Sequence, residues 1–75
     1  MNLDRMSLDQ LRKLLIRIER QIVEDELYIE NVTDGIIQEP DWKTGAVNAR
    51  LRQLRDERQE VKDRIVVVTR KPVGG

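Results

Sequence analysis

The chain has 75 residues, half of the roughly 150 of a typical domain, which bounds it to one small module. Fourteen Lys+Arg balance fourteen Asp+Glu, and the absence of Cys and His excludes disulfides, thiolate nucleophiles, Cys/His zinc sites and a histidine general base. With one Trp, one Tyr and no Phe, any core must be built from long aliphatic side chains, as in helix seams.

The first helix begins at Ser7. Met6-Ser7-Leu8-Asp9-Gln10-Leu11 has the spacing of a capping box, with Ser7 and Gln10 as reciprocal partners and Met6 and Leu11 placed as a hydrophobic staple. Apolar residues then recur three and four apart at Leu8, Leu11, Leu15, Ile18, Ile22, Ile29, Val32 and Ile36, the heptad pattern of a coiled-coil seam. Asp25 alone interrupts it. Thr33-Asp34-Gly35 supplies a stop, because glycine readily takes the left-handed C-terminal position. These signals predict a helix over about 7–34 and a loop over 35–43, where Pro40 pushes Glu39 out of helical geometry and Asp41 or Thr44 is placed to cap the next helix.

The second helix is predicted over about 44–69, with Val47, Leu51, Leu54, Val61, Ile65 and Val68 on its seam and Arg58 as the interruption. A tail occupies 70–75. The competing reading of Ile65-Val66-Val67-Val68-Thr69 is a strand that adds to a partner's sheet, since β-branched residues favour that conformation. The heptad fit favours helix. The fold expectation is therefore all-α: a single antiparallel two-helix coiled-coil hairpin.

The interruptions fix the alignment of the two helices. Setting Asp25 opposite Arg58 also sets Val32 against Leu51, Ile29 against Leu54, Ile22 against Val61, Ile18 against Ile65 and Leu15 against Val68. The expected seam thus carries one buried salt bridge, Asp25–Arg58, acting as a register lock. The flanks of the same alignment pair Glu19 with Lys62 and Glu26 with Arg55, exposed ion pairs that select orientation more than they stabilise.

Two helices that each bury one stripe make a marginal core, and composition removes disulfides and Cys/His metal sites as supplements. Association with other chains is the remaining source of stability. The surplus apolar surface lies at Leu14, Ile16, Val23 and Leu27 on the first helix and at Val66 and Val67 near the end of the second, which defines the expected protein interface. Trp42, in the loop, is expected to pack over Ile36, Ile37 and Val47; the opposing reading makes it an exposed anchor.

These residues predict a non-enzymatic function: protein–protein interaction, as a structural subunit of a larger assembly, either self-associated and virion-like or built on another protein. No Gly-rich phosphate loop or metal-ligand spacing is present, and neighbouring acidic residues such as Glu24-Asp25-Glu26 point about 100° apart on a helix. The expectation is accordingly no cofactor, no metal and no small-molecule substrate. The alternative is a nucleic-acid-associated hairpin that contacts phosphates through Lys13, Arg17 and Arg20, helped by a second basic stretch at Arg50, Arg52 and Arg55. A further alternative is a small adaptor or inhibitor of one enzyme. No apolar run approaches the roughly 18 residues of a membrane span, and no signal-peptide core opens the chain. The expectation is no membrane partner and a cytoplasmic location, or one inside an intracellularly assembled particle.

The size and the Arg5-Met6-Ser7-Leu8-Asp9-Gln10-Leu11 start resemble a two-helix hairpin family of the large ribosomal subunit, which implies the hairpin architecture. That family is markedly basic and this chain is neutral, so the likeness is one of architecture. The string Leu8, Leu11, Arg12, Leu15, Ile18 is similar to the first helix of helical chorismate mutases. That family gathers several basic residues around a dicarboxylate. Arg58, the one basic residue on a seam here, is assigned to Asp25, and the activity is not carried over.

Overall fold

A computed structural model describes residues 3–70. A short 3-10 turn, Leu3–Arg5, leads into helix α1, Leu8–Thr33, and a tight connection returns the chain as helix α2, Asp41–Thr69. The two helices pack against each other as a hairpin, as the heptad spacing predicts. Of the predicted tail, 70–75, Arg70 is described and caps the end of α2; 71–75 lie outside the described residues. The strand reading of residues 65–69 is overturned, because α2 runs to Thr69, whose hydroxyl donates back to the Ile65 carbonyl at 2.8 Å.

Both ends of α1 are set by local chemistry. Gln10 N–H donates to Ser7 Oγ at 3.2 Å and Ser7 N–H donates to Gln10 Oε1 at 2.9 Å, so the predicted capping box satisfies two otherwise orphaned donors. At the far end Gly35 adopts φ +77°. Its N–H donates to Val32 O at 3.1 Å and Ile36 N–H donates to Asn31 O at 2.9 Å, the two bonds of a Schellman motif.

α2 starts three residues earlier than its sequence suggests. No side chain caps it; Pro40 occupies the capping position, and its carbonyl accepts from Lys43 N–H at 3.0 Å and Thr44 N–H at 3.3 Å. Proline's fixed φ, here −67°, is already close to helical, and Asp41 in the first turn favours the positive end of the helix dipole. Those two features replace the side-chain cap expected of Asp41 or Thr44.

Gly35 and Gly45 should respond oppositely to alanine. A Cβ on either one meets no atom within 4 Å, so packing contributes nothing in either case. Gly35→Ala should cost about 1–2 kcal/mol through left-handed backbone strain, whereas Gly45→Ala, inside α2, should stabilise by about 0.5–1 kcal/mol. Urea unfolding of the two variants checks the opposite signs.

The core is a line rather than a ball. Leu11, Ile18 and Ile22 of α1 and Leu51 and Val61 of α2 are buried, with Leu14, Leu15, Ile29, Leu54 and Ile65 packed around them. A radius of gyration of 16.4 Å, against about 11 Å for a spherical domain of this length, reflects the rod shape. One contribution is absent from the heptad pattern. The segment before α1 folds back on α2, so that Leu3 and Met6 cover the core at the open end and Arg64 Nη1 lies 3.7 Å from Asp4 Oδ1. Ile36, placed on the seam by spacing, falls past the Schellman turn and is 72% exposed.

Candidate functional site

The one buried charged side chain among the described residues is Asp25, 3% exposed on the α1 seam. Its partner is Arg50, not the predicted Arg58. Arg50 Nε donates to Asp25 Oδ2 at 2.7 Å and Arg50 Nη2 donates to Oδ1 at 2.6 Å, a bidentate fork; Gln21, one turn earlier on α1, donates to Oδ1 at 2.9 Å. Eight residues, about 12 Å of helix, separate Arg50 from Arg58, more than an arginine spans, so the helices do not keep the predicted alignment of Asp25 with Arg58. Arg50 sits on the flank of α2, two turns nearer the loop than Arg58, and brings its head over the edge of the seam while half of its side chain stays in water. Arg58 lies about two turns farther along α2 than the residue that meets Asp25. It is half-buried, and it has no acidic partner among the described residues.

The hydrogen bonds from Arg50 hold the Asp25 carboxyl below the usual aspartate range, against the upward push of burial, and Gln21 adds to the effect. The same bonds raise Arg50 above its ordinary value. Asp25 is therefore a fixed anion, already neutralised and fully bonded. It is a poor proton donor and a good staple.

The staple forms the floor of a surface cleft of about 450 Å³ lined by Gln21, Glu24, Tyr28, Lys43, Val47 and Arg50. Tyr28 Oη is buried there without a hydrogen-bond partner among the described residues. Sequence reasoning missed Arg50, Gln21 and Tyr28 as members of one cluster. Gln21 was legible four residues before Asp25; Arg50 was not, because an arginine on a flank reaches several seam positions.

Of the two predicted flanking pairs, Arg55 Nη2 lies 3.8 Å from Glu26 Oε1, with both side chains about half exposed. Glu19 and Lys62 form no ion pair; both are exposed, and solvation of two long side chains outweighs a weak surface attraction. Lys13 is engaged with Asp9 at 3.1 Å on its own helix, while Arg17 and Arg20 are exposed.

The predicted interface residues divide. Leu14 belongs to the core, half-buried under the fold-back of the N-terminal segment. Ile16, Val23 and Leu27 are 61%, 66% and 55% exposed on the side of α1 turned away from α2. Val66 and Val67 are also exposed, near the end of α2. Trp42 does not pack over the loop: it is 74% exposed, because α2 begins before it and carries it to the helix surface.

Among the described residues no group of three His, Cys, Asp or Glu side chains is placed to hold a metal ion, and no helix is long and apolar enough to cross a membrane. Comparison with known proteins finds no matching family model, no matching curated protein and no matching solved structure.

Proposed function

We propose that the hairpin is a non-catalytic interaction module, a structural subunit that joins a larger protein assembly through its exposed aliphatic side chains. The observation that carries this reading is the row Ile16, Val23 and Leu27, more than half exposed and spaced seven and four residues apart on one face of α1. Scattered surface aliphatics are ordinary, but a row at helical spacing on a face that already lacks a neighbour is the pattern a docking helix presents. Val66 and Val67 extend the same character to the last turns of α2. The marginal seam gives association a stabilising role, since any partner that binds only the folded hairpin shifts its equilibrium.

The test is hydrodynamic. Sedimentation at several concentrations should find a species heavier than one chain, in the purified protein or with its partner. Ile16→Glu and Val67→Glu should each reduce that mass while circular dichroism keeps its helical signal. A complex that weakens only modestly with salt separates this reading from phosphate binding by Lys13, Arg17 and Arg20, which would weaken steeply as salt rises. A protein that stays monomeric, ignores both substitutions and binds RNA or DNA in a salt-dependent way would overturn it.

A further inference from the structure

The exposed face of α1 carries a second heptad, on the opposite side from the seam. Asp9, Lys13, Ile16, Arg20, Val23, Leu27, Glu30 and Asp34 succeed one another at alternating spacings of four and three, and all are exposed. Its charge is polarised along the helix. The first half holds Arg12, Lys13, Arg17 and Arg20 against Asp9 and Glu19; the second holds Glu24, Glu26, Glu30 and Asp34 with no basic residue. Ile16 lies within the first half, Leu27 within the second, and Val23 at their junction.

A surface that is basic in one half and acidic in the other, with an aliphatic row running through both, is complementary to itself turned end for end. We propose that α1 pairs antiparallel with α1 of a second copy of this chain through this face, generating a two-fold symmetric dimer. The proposal rests on the assembly reading above and names its partner. Seating Ile16 on Leu27 of the second copy brings Arg20 beside Val23, so that the arginine stem adds to the apolar strip while its head reaches water. The same alignment sets Lys13 against Glu30 and Arg17 near Glu24, and symmetry makes each of these contacts twice. The Lys13–Asp9 bond within α1, at 74% and 76% exposure, is a weak competitor that exchanges readily. The unfavourable meetings fall at the edges, where Asp9 approaches Asp34 and Glu19 approaches Glu26, and the latter is already drawn toward Arg55. A parallel pair would oppose basic to basic and acidic to acidic along its whole length, so the charge pattern selects direction as well as partner.

Charge exchange tests the proposal without touching the aliphatics. The double variant Lys13→Glu/Arg17→Glu puts acid opposite acid at the two predicted contacts, and Glu24→Lys/Glu30→Lys puts base opposite base there. Each alone should self-associate about tenfold more weakly than the parent chain, and an equimolar mixture should form a heterodimer of restored affinity, read by sedimentation or native mass spectrometry. Because the chain has no cysteine, single substitutions Ile16→Cys and Leu27→Cys give a clean second readout: on oxidation, 16-to-27 disulfides between the two variants should exceed 16-to-16 disulfides. A parent chain that is monomeric at millimolar concentration, self-association of either charge variant as strong as the parent's, or a preference for 16-to-16 linkage would each overturn it. If Val67→Glu abolishes assembly while the charge variants behave as the parent, the assembly reading stands and antiparallel pairing through α1 fails.

Discussion

Leu11→Ala should cost about 2–5 kcal/mol and move unfolding to low urea. Leu11 is fully buried, and it sits where three segments meet: α1, α2 and the fold-back that brings Leu3 and Met6 onto the open end. A protein of this size is stabilised by roughly 0.05–0.15 kcal/mol per residue, so a loss of that magnitude consumes much of the total. Among the described residues five apolar side chains are buried, and few neighbours are available to collapse into the space. Loss of the helical signal at low urea, with Ser7 and Gln10 intact, would tie the effect to packing rather than to the helix start. A variant that unfolds at the parent's midpoint would show that the open end contributes little to the core.

The second large effect is an asymmetry within the staple. Arg50→Ala should destabilise by about 1–3 kcal/mol, because it leaves a buried carboxylate with the Gln21 bond alone. The upper values known for buried pairs do not apply, since the Arg50 side chain is 54% exposed and partly screened by water. Asp25→Leu should be near neutral or stabilising, because it completes the apolar seam and releases Arg50 to solvent. Arg58→Ala should change stability by less than about 1 kcal/mol, having no ionic partner to lose among the described residues. Arg58→Ala more damaging than Arg50→Ala would reverse the assignment. Acidity gives an independent reading of the same pair. The folded Asp25 carboxyl titrates below its unfolded value, so its contribution is whole above the ordinary aspartate range and is lost as pH falls through the folded value. Asp25→Leu removes that part of the acid sensitivity.

The comparison of Arg58 with Arg50 also marks where sequence legibility stops. Seam positions such as Leu11, Ile18, Ile22, Leu51 and Val61 are readable because burial on one side of a helix imposes a spacing, and the spacing survives in the order of residues. The capping box and Gly35 are readable because each is a local chemical requirement. Pairing across the hairpin is not local. Two periodic stripes can be slid along each other and still meet apolar to apolar, so periodicity places Asp25 on the seam without choosing between Arg50 and Arg58. The fold-back of Leu3 and Met6 has no periodicity to announce it. The outward row Ile16, Val23 and Leu27 is legible for the same reason as the seam, whereas Leu14 and Trp42 depend on where neighbouring segments end.

The uncapped start of α2 gives the rod two unequal ends. From Asp41 to Arg50 that helix contributes no buried side chain and includes Gly45, while its buried anchors, Leu51 and Val61, lie farther along. Thermal opening should begin beside Trp42 and halt at the Arg50 fork, so the tip can swing its indole through solvent while the distant half of the hairpin keeps its alignment.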